Sequence, residues 1–205
     1  MAKVVNRVYC LVALVATLLF VSCSNDTDQV LTQQQNNIAN YLKGSHQPRL
    51  IPEEQVSSSL DEEPQYYEQW GLDLYRYIAT RYTEGRDQKA IVDWDSTIEF
   101  KYSAYIFTGS KPSLAQLYAT NDEAMIEQLK DEDLNTSYEW TTEPFVATLG
   151  NGEILAGLEE ALVECREGDS VEIYMTFNKA YGKENLGMIT SKSAVVWFVD
   201  ILSVN

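Results

Sequence analysis

The sequence predicts an α+β fold in which a twisted antiparallel sheet wraps around one short helix. Three observations carry this reading. Val171, Ile173, Met175 and Phe177 alternate with Glu172, Tyr174 and Thr176, the period-two pattern of a strand with one buried face. The last run, Ala194 to Ser203, is apolar on both faces and is expected in the centre of the sheet. Leu155, Leu158, Ala161, Leu162 and Cys165 recur at helical spacing, after Gly150-Asn151-Gly152 and before Gly168, so one short amphipathic helix is expected over Leu155 to Cys165.

Taken in order, the chain opens with Lys3 and Arg7 ahead of the apolar run Val8 to Val21. A membrane-spanning helix needs roughly 20 apolar residues, so this shorter run reads as the core of a signal peptide over residues 1–22. Phe20-Val21-Ser22-Cys23 resembles the lipobox of bacterial lipoproteins, with Phe20 in the usual place of Leu. The resemblance implies a lipid anchor on Cys23 and a place in the cell envelope, at the outer membrane, with the membrane as a partner. Asp26 and Asp28 resemble the export signal of surface-displayed lipoproteins in the Bacteroides group.

Residues 23–67 read as a polar tether. Val30, Leu31, Ile38, Tyr41 and Leu42 place a helix near 27–43, and Gly44 to Pro64, with Pro48, Pro52 and Ser57-Ser58-Ser59, reads as linker. The folded domain is expected over 68–205. Its first strand is expected at Leu72 to Thr80, and its second at Thr97 to Phe107, where Ile98, Phe100, Tyr102, Ala104 and Ile106 alternate with polar residues. An insertion at about 119–143 carries a helix, with Asn121 as cap, Asp122 and Glu123 in its first turn, and Met125, Ile126 and Leu129 on one face.

Composition sets limits on function. A hydrophobic content of 45% and a charged content of 22% describe an ordinary globular domain with extras. Thirty-one acidic residues against 15 basic ones give a formal charge of −16, and loss of Lys3 and Arg7 with the leader makes it more negative. Such a field repels phosphate backbones, which argues against a nucleic-acid partner. The acidic clusters Asp61 to Glu63 and Asp131 to Asp133 read as solvated loops, and no metal set is expected. Of the three cysteines, Cys10 leaves with the leader, Cys23 is the acylation site, and Cys165 reads as a small buried hydrophobe. With one histidine, His46, in the linker and no Ser/His/Asp or Cys/His set, hydrolytic chemistry is disfavoured.

Several ordered segments then narrow the choice. Gly152-Glu153-Ile154-Leu155-Ala156-Gly157-Leu158, Gly168-Asp169, Ala180-Tyr181-Gly182, Gly187-Met188-Ile189 and Val196-Trp197-Phe198-Val199-Asp200-Ile201-Leu202 follow one another along the chain. This series resembles the second half of the macrolide-binding peptidyl-prolyl isomerases, the FKBP family. Weaker similarity reaches back through Phe100-Lys101-Tyr102 to Gly71-Leu72. The resemblance implies an FKBP-like fold and a prolyl pocket lined by Tyr102, Phe145, Ile154, Leu155, Leu158, Tyr181, Met188, Ile189 and Trp197. It implies that Tyr181 donates its hydroxyl to one substrate carbonyl and the Leu155 backbone N–H donates to another, while Phe145 and Trp197 flank the proline ring. No cofactor is implied, and the partners are proline-containing polypeptides.

The chemistry suits apolar residues. Rotation about an X–Pro bond faces a barrier of ~20 kcal/mol because the planar amide loses its resonance on twisting. The twisted amide is less dipolar, so an apolar cage favours it over the planar form without any covalent step. Three departures from the family stand out. Leu158 replaces the Trp of the pocket floor, the acidic residue expected after an aromatic falls near Tyr118 or Ala119, and paired prolines become Thr190 and Ser191. Two functions stay open: an envelope-anchored isomerase assisting protein folding, or an inactive FKBP-like module that binds peptides or proteins.

Overall fold

The computed structural model describes residues 26–135 and 138–205. The expected leader and Cys23 lie outside the described residues. The chain divides into two compact units, Met1–Gln33 and Gln34–Asn205. No described helix is long and apolar enough to cross a membrane.

The fold is α+β. Helix α1 covers residues 26–44, of which 26–33 belong to the first unit. The strands are β1 (Ile51–Pro52), β2 (Tyr66–Trp70), β3 (Leu74–Ile78), β4 (Thr97–Ile106), β5 (Leu117–Thr120), β6 (Phe145–Thr148), β7 (Ser170–Met175) and β8 (Val195–Val204). Helix α2 (Glu123–Asp131) lies in the insertion and α3 (Ala156–Leu162) precedes β7. The sheet runs β1-β2-β3-β7-β8-β4-β5, with β6 also on β4. Every pairing is antiparallel except β1 with β2. As its double-sided apolar character predicts, β8 lies centrally, between β7 and β4.

One face of the sheet carries α3. Leu74, Ile98, Phe100, Ala104, Ile173, Met175, Trp197 and Ile201 form one buried cluster with Leu158, Ala161, Leu162 and Cys165 of that helix and its end. Period-two alternation sends the neighbouring residues to the other face, where sequence pattern alone suggests solvent. Instead Tyr75, Tyr77, Tyr105, Tyr174 and Val196 are buried there beneath Ile38, Tyr41 and Leu42 of α1 and Leu129 of α2. Tyr174, expected on a polar face of β7, is wholly buried, with the rings of Tyr41 and Phe107 5.9 and 5.2 Å away.

The polar segment before the sheet is thus part of the packing from residue 34 on. The stretch expected as linker supplies β1, the 3-10 turn Glu53–Ser58, and the buried residues His46 and Leu50. In the insertion the expected helix is present, but Asp122 caps it by accepting a hydrogen bond from the Met125 N–H at 3.0 Å. Asn121, the expected cap, is buried instead; its amide donates to the carbonyls of Phe100 and Glu143 and its oxygen accepts from the Tyr102 N–H.

Three sets of contacts fix α3. A Cβ on Gly157 would lie 2.5 Å from the Lys179 carbonyl oxygen and 2.9 Å from the Met175 sulfur, so only glycine lets the helix lie flush on the segment after β7. Glu159 turns a carboxylate oxygen back to accept from the Gly150 and Gly152 N–H groups, both at 3.1 Å. At the far end the buried Arg76 of β3 donates to the Ala161 and Val163 carbonyls, which have no partner within the helix. The Arg76 charge is balanced by Glu68 and covered by the Trp70 ring, 4.9 Å from the guanidinium carbon.

His46, wedged between the rings of Tyr41 and Tyr77, meets oxygen on both sides. Its Nδ1 lies 2.5 Å from the Pro48 carbonyl and its Nε2 lies 2.9 Å from the Glu172 carboxylate. Neither oxygen donates, so both ring nitrogens carry protons, the signature of imidazolium. Burial opposes that charge, but the Glu172 bond and attraction, aided by Pro48, outweigh it and raise the pKa above the ordinary 6.5.

Two outcomes follow from these contacts. Gly157→Ala lowers the unfolding free energy by about 1–3 kcal/mol in urea titration, whereas Gly44→Ala, with nothing within 4 Å of its added methyl, does not destabilise. Because the folded His46 pKa is raised, its contribution is complete below 6.5 and is lost as pH climbs through the folded value. Urea midpoints measured at stepped pH should therefore fall across this window more steeply for wild type than for His46→Gln.

Candidate functional site

The expected pocket residues come from elements that α3 and β8 bring together. Tyr102 on β4 and Trp197 on β8 face the same side of the sheet. Trp197 sits opposite Ala104, one pleat along from Tyr102. Their rings stack at 4.9 Å and 23°. Phe145 begins β6 opposite Phe100 and meets Tyr102 edge-on at 6.3 Å. Phe145 is 38% exposed, so its ring forms an open rim, while Trp197 is 8% exposed and Leu158 is fully buried in the same cluster.

Beyond Trp197 the aromatic wall continues through Tyr118 on β5, at 6.4 Å, to Tyr181, 5.9 Å further on and perpendicular to Tyr118. Tyr181 is carried by a loop whose geometry is set by backbone bonds from Gly182 and Ala180 to the Phe177 carbonyl. Gln34 of α1 brackets this loop, accepting from the Phe177 N–H and donating to the Lys192 carbonyl. The Lys179 ammonium pairs with Glu160 of α3 at the loop's start. Burial raises the Tyr181 pKa, so the hydroxyl is a neutral donor over the physiological range.

Ile154 and Leu155 close the side nearest α3, half-buried against the same cluster. Leu155 is the residue before the helix, with extended backbone (φ −58°, ψ 135°), and its carbonyl accepts from Leu158 and Glu159. Its own N–H donates to no group among the described residues. The Glu159 bonds to Gly150 and Gly152 hold the turn that presents this N–H.

Met188 and Ile189 lie on the loop between Tyr181 and β8. Leu186 and Ile189 exchange backbone bonds there, and Gly187 has φ +59°. This turn reaches the insertion: a Cβ on Gly187 would lie 2.8 Å from the Tyr138 hydroxyl. The side chains of Met188 and Ile189 do not join the cluster around α3. The structure therefore brings Tyr102, Phe145, Ile154, Leu155, Leu158, Tyr181 and Trp197 around one aromatic niche and leaves Met188 and Ile189 on the loop beside it.

Sequence reasoning placed Tyr118 only as the position of a missing acid, yet its ring links Trp197 to Tyr181. Asn121 ties the backbone of Tyr102 to the residue two before Phe145 and was read as a cap. Its type, a short amide ahead of a helix, signals both roles equally well.

The assembled groups suit non-covalent work on an amide. They offer aromatic faces, a phenol and a free backbone N–H. No curated protein matches the chain. Residues 121–202, from the start of the insertion to the last strand, match the family described as FKBP-type peptidyl-prolyl cis-trans isomerase. Over that segment, and in the α+β fold it completes, the chain is similar to the FKBP-type peptidyl-prolyl cis-trans isomerase family.

Proposed function

We propose that the protein is an envelope-anchored FKBP-type peptidyl-prolyl cis-trans isomerase, held to the membrane through an acylated Cys23, that assists folding of envelope proteins. FKBP-type isomerases act on proline-containing polypeptides. The observation that carries the reading is that the unpaired Leu155 N–H and the Tyr181 hydroxyl both belong to residues packed against one aromatic cluster, with Trp197 stacked on Tyr102. In this reading the proline ring enters beside Phe145 and Trp197, Tyr102 and Ile154 confine it, and Met188 and Ile189 border the mouth. The Leu155 N–H and Tyr181 hydroxyl hold the flanking carbonyls. Water is displaced from the X–Pro amide, and the less dipolar twisted state gains relative to the planar one.

A specific observation favours the second reading, a binding module with little catalysis. Trp197 is packed to 8% exposure, stacked on Tyr102, with Leu158 beneath in the place of the family's larger floor residue. A swap of this kind conserves volume by moving the large ring from floor to wall.

The two readings separate in a proline-peptide isomerisation assay on the full-length protein in detergent. Acceleration above the uncatalysed rate is expected, and Tyr181→Phe should lower kcat/KM about five- to tenfold, the worth of one hydrogen bond. Binding of the peptide without acceleration selects the second reading. For the anchor, incorporation of labelled palmitate into the wild type but not into Cys23→Ser is expected, with the variant lost from the membrane fraction.

A further inference from the structure

A cavity of about 470 Å³, the volume of a small-ligand site, lies on the sheet face opposite the aromatic niche. Its floor is one row of side chains across three strands: Glu172 of β7 is paired with Phe198 of β8, and Phe198 with Ser103 of β4. His46, bonded to Glu172, stands at one end of the row. Met125 of α2, whose sulfur lies 3.5 Å from the Tyr105 hydroxyl, stands at the other. The carboxylates that line the cavity are all engaged. Glu172 accepts from His46 and from the Tyr174 hydroxyl, Asp200 accepts from the Ser170 hydroxyl at 2.5 Å, and Asp122 accepts from the Met125 N–H. The two ammoniums that line it are not. Lys101 stands across from Asp200 in the β4–β8 ladder, yet the side chains of Lys101 and Lys111 bond to and pair with no group among the described residues. An ammonium carries three donors and accepts nothing, so the charged groups left unanswered in this cavity are donors alone. In a chain of formal charge −16, two such cations facing one cavity are a local exception to the surrounding field.

Beside the ammoniums the lining is apolar. The half-buried Phe198 ring meets Tyr105 at 5.6 Å and 89°, so the two rings form a right-angled corner, and the flexible Met125 thioether borders it. We propose that this cavity binds a carboxylate carried on an apolar body, with the carboxylate held by Lys101 and Lys111 and the body laid against Phe198, Tyr105 and Met125. Charge decides between a carboxylate and a phosphate. With the His46 imidazolium set against Glu172, the two lysines share the cavity with Asp122 and Asp200. A singly charged group is accommodated there, whereas a doubly charged phosphate meets twice the repulsion from both aspartates. Two carriers present this chemistry, a small carboxylic acid and the free C-terminus of a polypeptide. The prolyl niche lies on the other face of the sheet, so the inference stands apart from the isomerase reading.

Isothermal titration of the full-length protein with phenylpropionate, and with a proline-free acetylated tripeptide that ends in phenylalanine as either the free acid or the amide, tests the proposal. At least one free acid should bind, and its amide counterpart should bind about tenfold or more weakly, since only the carboxylate makes charge-assisted bonds. Lys101→Gln and Lys111→Gln should each weaken the free acid about five- to tenfold and leave the amide unchanged. Because neither ammonium is bonded elsewhere, both variants should keep the wild-type urea midpoint. Binding of phenylpropionate supports a small acid as the occupant, and binding of the tripeptide acid alone supports a chain terminus. Failure of both free acids to bind, equal binding of acid and amide, or acid binding that survives unchanged in the Lys101→Gln/Lys111→Gln double variant overturns the proposal.

Discussion

The close approach of α3 to the segment after β7 is the constraint on which the rest of the site depends. Where Gly157 passes the Lys179 carbonyl there is no room for a methyl group. Because the helix can lie that near, the Leu155 N–H at its start and Tyr181, two residues beyond Lys179, come to the same niche. The other fixings of α3 make sense as support for this contact. Glu159 ties the turn before the helix, Arg76 takes the carbonyls at its end, and Lys179 pairs with Glu160 across the seam. A buried guanidinium is costly to desolvate, and its persistence here is explained by the three oxygens it satisfies, from Glu68, Ala161 and Val163. The same guanidinium touches the Cys165 sulfur at 3.5 Å, and burial of that thiol pushes its pKa up to about 12, which keeps it neutral and unreactive.

The opposite face of the sheet explains how so acidic a chain builds a core. Aromatic residues from α1, β3, β7 and the end of β4 pack there, and their few polar atoms are answered internally: the Tyr174 hydroxyl and His46 both donate to Glu172. The helix that covers this face also reaches the site loop, since Gln34 bonds at Phe177 and Lys192 on either side of Tyr181. Residues 34–44 thereby tie the back of the sheet to the tyrosine loop on the front.

Much of this was legible from residue order. The alternation in β4 and β7, the double-sided β8 and the spacing of α3 carried the α+β fold, and the ordered segments from Gly152 to Leu202 carried the resemblance to the family matched over residues 121–202. The covering of the second face was not legible, because Tyr174, Ser103 and Glu172 look like surface residues until α1 is laid over them. The segment Gly44 to Pro64 reads as linker by its prolines and serines, and its place in the packing depends on His46 and Leu50, which local pattern cannot weigh. For the site, the residues on α3 and the Tyr181 loop were visible through short motifs. Tyr118 was not, since its ring joins Trp197 to Tyr181 only when β5 and β8 are placed on either side of β4. The separation of Met188 and Ile189 from the cluster arises from the turn at Gly187, which leans toward Tyr138 in an insertion without a counterpart in the short motifs.

The site thus combines aromatic walls that favour a twisted amide with a backbone N–H, at Leu155, left without a partner among the described residues. Whether that N–H meets a carbonyl beside a bound proline is the centre of the account. The most direct measurement is the ¹⁵N–¹H resonance of the Leu155 backbone amide during titration with an acyl-proline peptide. A saturable downfield shift of that proton, as it gains an acceptor, is the predicted result. A Leu155 resonance that stays fixed through saturation, or the absence of any binding, would contradict the account.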